Sequence, residues 1–145
     1  MVHQKWNVEV REEKAVLETY FLDTLQGNPG RKRPVLIIFP GGGYEFLSDR
    51  EAESAAQWNA DPEKIIVCGF SAGGHLACSL GTFWQEPWIA QELGGEKDLY
   101  RPNGLILSYP VVTAGALAHE GSIQNITGGD EKLRGKMSLE KQVTK

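Results

Sequence analysis

At 145 residues the chain has room for one domain built on a single core and excludes a multidomain assembly. With 15 basic against 19 acidic residues the formal net charge is -4, which provides no electrostatic footprint for nucleic acid or an anionic membrane. No apolar stretch approaches a bilayer span and the start Met1-Val2-His3-Gln4-Lys5 is polar rather than signal-like, so a cytoplasmic location is expected.

The first strand-like segment is Lys14 to Leu22, rich in aliphatic and aromatic types, with Trp6 to Val10 as its pairing partner. Gln26-Gly27-Asn28-Pro29-Gly30 is a loop by its turn chemistry. The continuous apolar run Val35-Leu36-Ile37-Ile38-Phe39, bounded by Pro34 and Pro40, predicts a central strand buried on both faces of a parallel sheet. It empties into Pro40-Gly41-Gly42-Gly43-Tyr44. Three consecutive glycines let backbone N–H groups face a ligand with no side chain in the way, as in an oxyanion hole or anion nest, although a plain flexible loop has the same composition.

Ser48 and Glu51 form a capping box that opens a helix through about Trp58, closed by Asp61-Pro62. A strand from Lys64 to Gly69 follows. It ends in Gly69-Phe70-Ser71-Ala72-Gly73-Gly74-His75, and the next stretch carries Leu76, Ala77, Leu80 and Phe83 at helical spacing, predicting a helix to about Phe83 with that stripe in the core. A serine held at the tip of such a strand–turn–helix is pushed out above the sheet, and small neighbours let strand and helix close beneath it. The first free N–H groups of the helix point at the same spot. His75 follows Ser71 by one helical turn, which carries its ring away from the front of the hydroxyl and predicts a packing or hydrogen-bonding role rather than that of a base.

Glu86-Pro87-Trp88 to Leu93 reads as a short helix ended by Gly94-Gly95, and Leu105 to Pro110 as a third buried strand. Beyond Val112 the periodicity fades, and Glu131 to Lys145 is charged and helix-prone. The cysteines, Cys68 in the strand and Cys78 in the helix, are expected to be reduced core residues. No His, Cys or Asp cluster has ligand spacing, so neither a metal nor another cofactor is expected.

Taken together, Pro40-Gly41-Gly42-Gly43-Tyr44, Gly69 to His75 and Leu105 to Pro110 resemble the α/β-hydrolase superfamily, and most nearly the bacterial acetyl esterase/lipase group, relatives of hormone-sensitive-lipase-like and acetyl-xylan esterases. The resemblance covers nearly the whole chain. It implies a three-layer αβα fold with a mostly parallel sheet, Ser71 as nucleophile, and the backbone N–H groups of Gly42, Gly43 and Ala72 as oxyanion hole. Where many relatives have a histidine before the glycines this chain has Pro40, which removes an anchoring side chain and leaves the glycine donors.

Two departures shape the functional expectation. Between Gly43 and Ser71 there is room for one helix, where the family places helix, strand and helix; an internal deletion is expected, leaving a β-α-β crossover and an exposed apolar sheet edge that would favour self-association. In the superfamily the acid and then the histidine follow the serine, whereas here the chain stops at Lys145 after one further strand. His3, His75 and His119 do not match the base, nor Asp130 the acid. The domain is therefore expected to be an incomplete α/β-hydrolase, truncated at its end. Its function is read as a carboxylic ester hydrolase acting on a small-molecule ester through an acyl-enzyme, with activity weak or lost. A non-catalytic binding module or fragment, a serine peptidase of the same superfamily, and a version with His119 as substitute base remain the alternatives.

Overall fold

The computed structural model describes residues 2–10, 13–21, 30–39 and 60–143. Two compact units divide the chain: one comprises residues 1–35 and 45–64, the other residues 36–44 and 65–145. In the first unit, β1 (Val2–Val10) pairs antiparallel with β2 (Glu13–Phe21), with Trp6 opposite Leu17 and Val2 opposite Phe21. The expected pairing is therefore present, and β1 begins earlier than the aromatic and aliphatic residues alone suggest.

A three-stranded sheet is ordered β3-β4-β5, formed by β3 (Arg33–Phe39), β4 (Ala60–Phe70) and β5 (Gly104–Ser108). β4 and β5 run parallel, with Ile66 opposite Gly104 and Phe70 opposite Ser108. Among the described residues β4 is the middle strand and β3 lies at an edge, where the Val35–Phe39 run was expected to be central. Among the described residues β3 has one sheet neighbour, and its burial alternates: Leu36 and Ile38 stand 53% and 56% exposed while Phe39 is buried. β5 likewise departs from a buried strand, since Leu105, Ile106 and Leu107 are all exposed in succession. Successive strand residues point to opposite faces, so both faces of β5 stay partly open. An apolar run makes a strand tolerant of burial; what covers it is decided by neighbouring elements.

α1 (Ala72–Phe83) follows β4 directly and packs on β5, where Gly81 faces the Leu105 side chain. On the expected stripe Ala77 and Phe83 are buried, whereas Leu76 and Leu80 are half-buried. α2 (Pro87–Leu93) starts on Pro87, whose fixed φ suits a first helical turn, and stops at Gly94 with φ 77°. Cys68 is buried, Cys78 half-buried, and both are free thiols. A short 3-10 turn, Lys97–Tyr100, leads into β5.

One helix occupies the stretch where periodicity fades and a second lies in the helix-prone segment from Glu131. α3 (Glu120–Thr127) buries Ile123 and Thr127 and ends on Gly128 in the left-handed region. α4 (Glu131–Lys136) is capped by Asp130, whose carboxylate accepts from the N–H of Lys132 at 2.7 Å and of Leu133 at 3.2 Å. Arg134 ties the two helices, donating twice to Glu120 and once to the Ala114 carbonyl. The predicted helix at Ser48–Trp58 lies outside the described residues. Asp130 is thus engaged as a helix cap, and Asp130→Ala is expected to lower the unfolding free energy by about 1 kcal/mol, with Asp130→Asn retaining most of it, as read by urea denaturation.

Candidate active site

β4 ends at Phe70 and α1 begins at Ala72, leaving Ser71 as the whole connection. Reversal within one residue demands an unusual backbone, and Ser71 has φ 52° and ψ -117°. For a residue with a Cβ this region costs about 1–3 kcal/mol and persists where surrounding contacts over-determine it. Those contacts are explicit. The Ser71 N–H donates to the Ser108 carbonyl at 3.2 Å, and its carbonyl accepts from the N–H groups of His75 and Val111, both at 3.1 Å. The end of β5 therefore grips the turn from one side and α1 from the other.

A serine before a helix commonly spends its hydroxyl on capping the first turn. Ser71 makes no such side-chain cap bond. Its residue is half-buried, and the N–H groups of Ala72, Gly73 and Gly74 precede the first helical bond, which begins with His75. Ala72, the sequence-predicted third oxyanion donor, is thus beside Ser71 at the positive helix end. Gly42 and Gly43, the other two, lie outside the described residues.

Gly69 and Gly74, on either side of Ser71, are required by contact. A Cβ at Gly69 would stand 2.1 Å from the Gly73 carbonyl oxygen, and one at Gly74 would stand 2.8 Å from the Pro110 Cβ. Both contacts involve parts that cannot swing away, so strand, helix and the post-β5 segment approach to backbone distance. Tyr109, the residue after β5, also has positive φ, at 36°, and its ring meets Phe70 at 6.2 Å.

His75 is fully buried, and its Nε2 lies 3.0 Å from the Met137 carbonyl oxygen. A carbonyl only accepts, so Nε2 carries the proton and Nδ1 is left to accept from the Ser79 hydroxyl at 3.4 Å. The ring is neutral, and burial pushes its pKa below the ordinary 6.5, partly offset by the Met137 bond. The expected packing and hydrogen-bonding role is what the geometry gives. His119 is the N-cap of α3, its Nδ1 accepting from the Ser122 N–H at 3.3 Å and lying 2.9 Å from the Ser122 hydroxyl. Its ring is thereby engaged with the first turn of α3. Trp84 and Trp88 each face a cation: Arg101 over Trp84 at 5.3 Å and Lys136 over Trp88 at 4.6 Å. The grip of Ser108 and Val111 on Ser71 had no distinguishing signal in the sequence, because backbone groups make it.

The BD-FAE family matches residues 46–101, a stretch that contains β4, Ser71, α1 and α2. The chain is similar to endo-1,4-beta-xylanase B of Butyrivibrio fibrisolvens, 38% identical over 137 residues, which is 89% of this chain and 20% of that protein. It is similar to an acetylxylan esterase of Xylanibacter ruminicola, 34% identical over 106 residues, 70% of this chain and 19% of that protein. The chain thus matches about a fifth of the length of these curated relatives. Among solved structures, the carboxylesterase Cest-2923 from Lactobacillus plantarum WCFS1 shares the fold, with TM-score 0.71 at 20% identity over 99% of this chain and 68% of that one. Among the described residues no helix is long and apolar enough to cross a membrane.

The buried ring of His75 gives this region a pH signature. Its folded pKa is depressed, so the unfolded chain binds the proton first, and the stabilisation present above pH 6.5 is lost as pH falls through that value towards the folded pKa. Chemical denaturation between pH 8 and pH 5 should show this slope, and His75→Gln should remove that part of it; an unchanged slope in the variant would count against a neutral buried ring.

Proposed function

We propose that the chain is an α/β-hydrolase of the esterase group and that Ser71 is the nucleophile of a carboxylic ester hydrolase, a reading supported by the BD-FAE match, the similarity to an acetylxylan esterase and the carboxylesterase-like fold. The observation that carries this reading is the left-handed backbone of Ser71 at a one-residue strand–helix junction, with its hydroxyl not spent on a cap. In the reaction, Ser71 Oγ attacks the acyl carbon and its proton leaves with the alcohol. The N–H groups of Gly42, Gly43 and Ala72 meet the oxyanion, and water then releases the acid from the acyl-serine. Two relatives are named for xylan and acetylxylan, which supports short acyl esters of xylan-type carbohydrate as the substrate class.

Position and activation are separate requirements. The strained turn supplies position. Activation needs a base, and His75 and His119 are both engaged as structural hydrogen-bonding groups. With these two histidines so engaged among the described residues, weak turnover is the reading, resting on oxyanion stabilisation and proximity. The same histidine roles favour a second reading, a non-catalytic module that keeps the fold and binds the ester.

With p-nitrophenyl acetate, kcat/KM should lie about 10⁴-fold or more below that of an esterase with a complete triad, and Ser71→Ala should abolish the residual rate. Hydrolysis at full esterase rates would overturn the weak-activity reading. A residual rate indifferent to Ser71→Ala would overturn the nucleophile and leave the binding module.

A further inference from the structure

The strain at Ser71 is supported from beyond its immediate neighbours. Val111 donates to the Ser71 carbonyl, and the residues that follow it are tied to a turn near the other end of the described chain. The Leu139 N–H donates to the Val112 carbonyl at 2.8 Å, and the Ala114 N–H donates to the Ser138 hydroxyl at 3.1 Å. The turn is in its own way tied to α1, through the His75 Nε2–H bond to the Met137 carbonyl at 3.0 Å. His75 closes the circuit, because its backbone N–H donates to the Ser71 carbonyl.

The path from Ser71 through Val111, Val112, Leu139 and Met137 to His75 and back is thus continuous in hydrogen bonds and chain. Its centre is dry: His75 and Leu139 are 0% exposed and Ser138 is 1% exposed. Met137 itself is half-buried, and a donor lost from the buried His75 side takes from its carbonyl the side-chain bond that joins this turn to α1 among the described residues. The α1 side of the circuit needs a donor at one place, and a ring of that reach one helical turn after Ser71 supplies it.

We propose that His75 is a positioning residue for Ser71, clasping the Met137–Leu139 turn to α1 so that the turn holds the Val111–Ala114 segment against the strained junction. Its consequence for ester chemistry rests on the reading of Ser71 as nucleophile, whereas the clasp itself does not. A side chain that merely filled the volume would leave the clasp unmade. His75→Leu keeps an apolar occupant without a donor, and His75→Gln restores an N–H near the Nε2 position.

The test is residue-resolved amide exchange of the full chain. In His75→Leu the amides of Ser71, His75 and Val111 should exchange about tenfold or more faster than in the wild type, while those of α3 keep their protection; in His75→Gln the junction should return to wild-type rates. Should His75→Leu fail to fold, Ser138→Ala, which removes another tie of the turn, must speed exchange at Val111 and Ser71. Unchanged protection of the junction in His75→Leu, failure of Gln to restore it, or unchanged exchange in Ser138→Ala overturns the clasp. Ser71-dependent p-nitrophenyl acetate hydrolysis should fall and recover with the same variants. Exchange that behaves as expected in a protein with no Ser71-dependent hydrolysis would reject the nucleophile and keep the clasp.

Discussion

One backbone conformation organises the second unit of this protein. Ser71 turns β4 into α1 within a single residue, at φ 52°, and a residue with a Cβ adopts that region at a cost of about 1–3 kcal/mol. The cost is offset by bonds from both sides: the Ser108 carbonyl and the Val111 N–H from the end of β5, and the His75 N–H from α1. The parallel register that sets Phe70 opposite Ser108 brings the end of β5 level with Ser71. The sheet pairing and the strained turn are consequences of one another.

From that constraint the local composition follows. Gly69 cannot carry a side chain because the Gly73 carbonyl occupies the place, and Gly74 cannot because Pro110 does. The glycines thus express how closely strand, helix and the segment after β5 converge on Ser71. What the constraint does not provide is a proton acceptor. His75 donates to Met137 from a dry interior, and His119 uses Nδ1 to begin α3. Among the described residues, His75 and His119 hold structural hydrogen bonds, and the constraint at Ser71 acts on its position.

Much of this was legible in the residues, and the limits have physical causes. The β1–β2 pairing and the ends of α1 and α2 follow from side-chain period and from Pro87 and Gly94, which act through local backbone preference. The serine turn was legible because its glycines are forced by contact. The burial of β3 and β5 was misread, because an apolar run records compatibility with a core and says nothing of the strand order that leaves Leu36, Ile38 and Ile106 exposed. α3 was hidden because it is short and held by caps at His119 and Gly128 with a small buried stripe at Ile123 and Thr127. The part of Met137 had no signal at all, since any residue type could supply that carbonyl.

As proposed, the fold presents the Ser71 hydroxyl as a nucleophile even where activation is poor. Fluorophosphonate labelling, with the adduct located by peptide mass spectrometry, tests it most directly. The expected result is a slow adduct that forms at Ser71 in preference to Ser79, Ser108, Ser122 and Ser138 and disappears in Ser71→Ala. No adduct at Ser71, or labelling spread evenly over those serines, would contradict it.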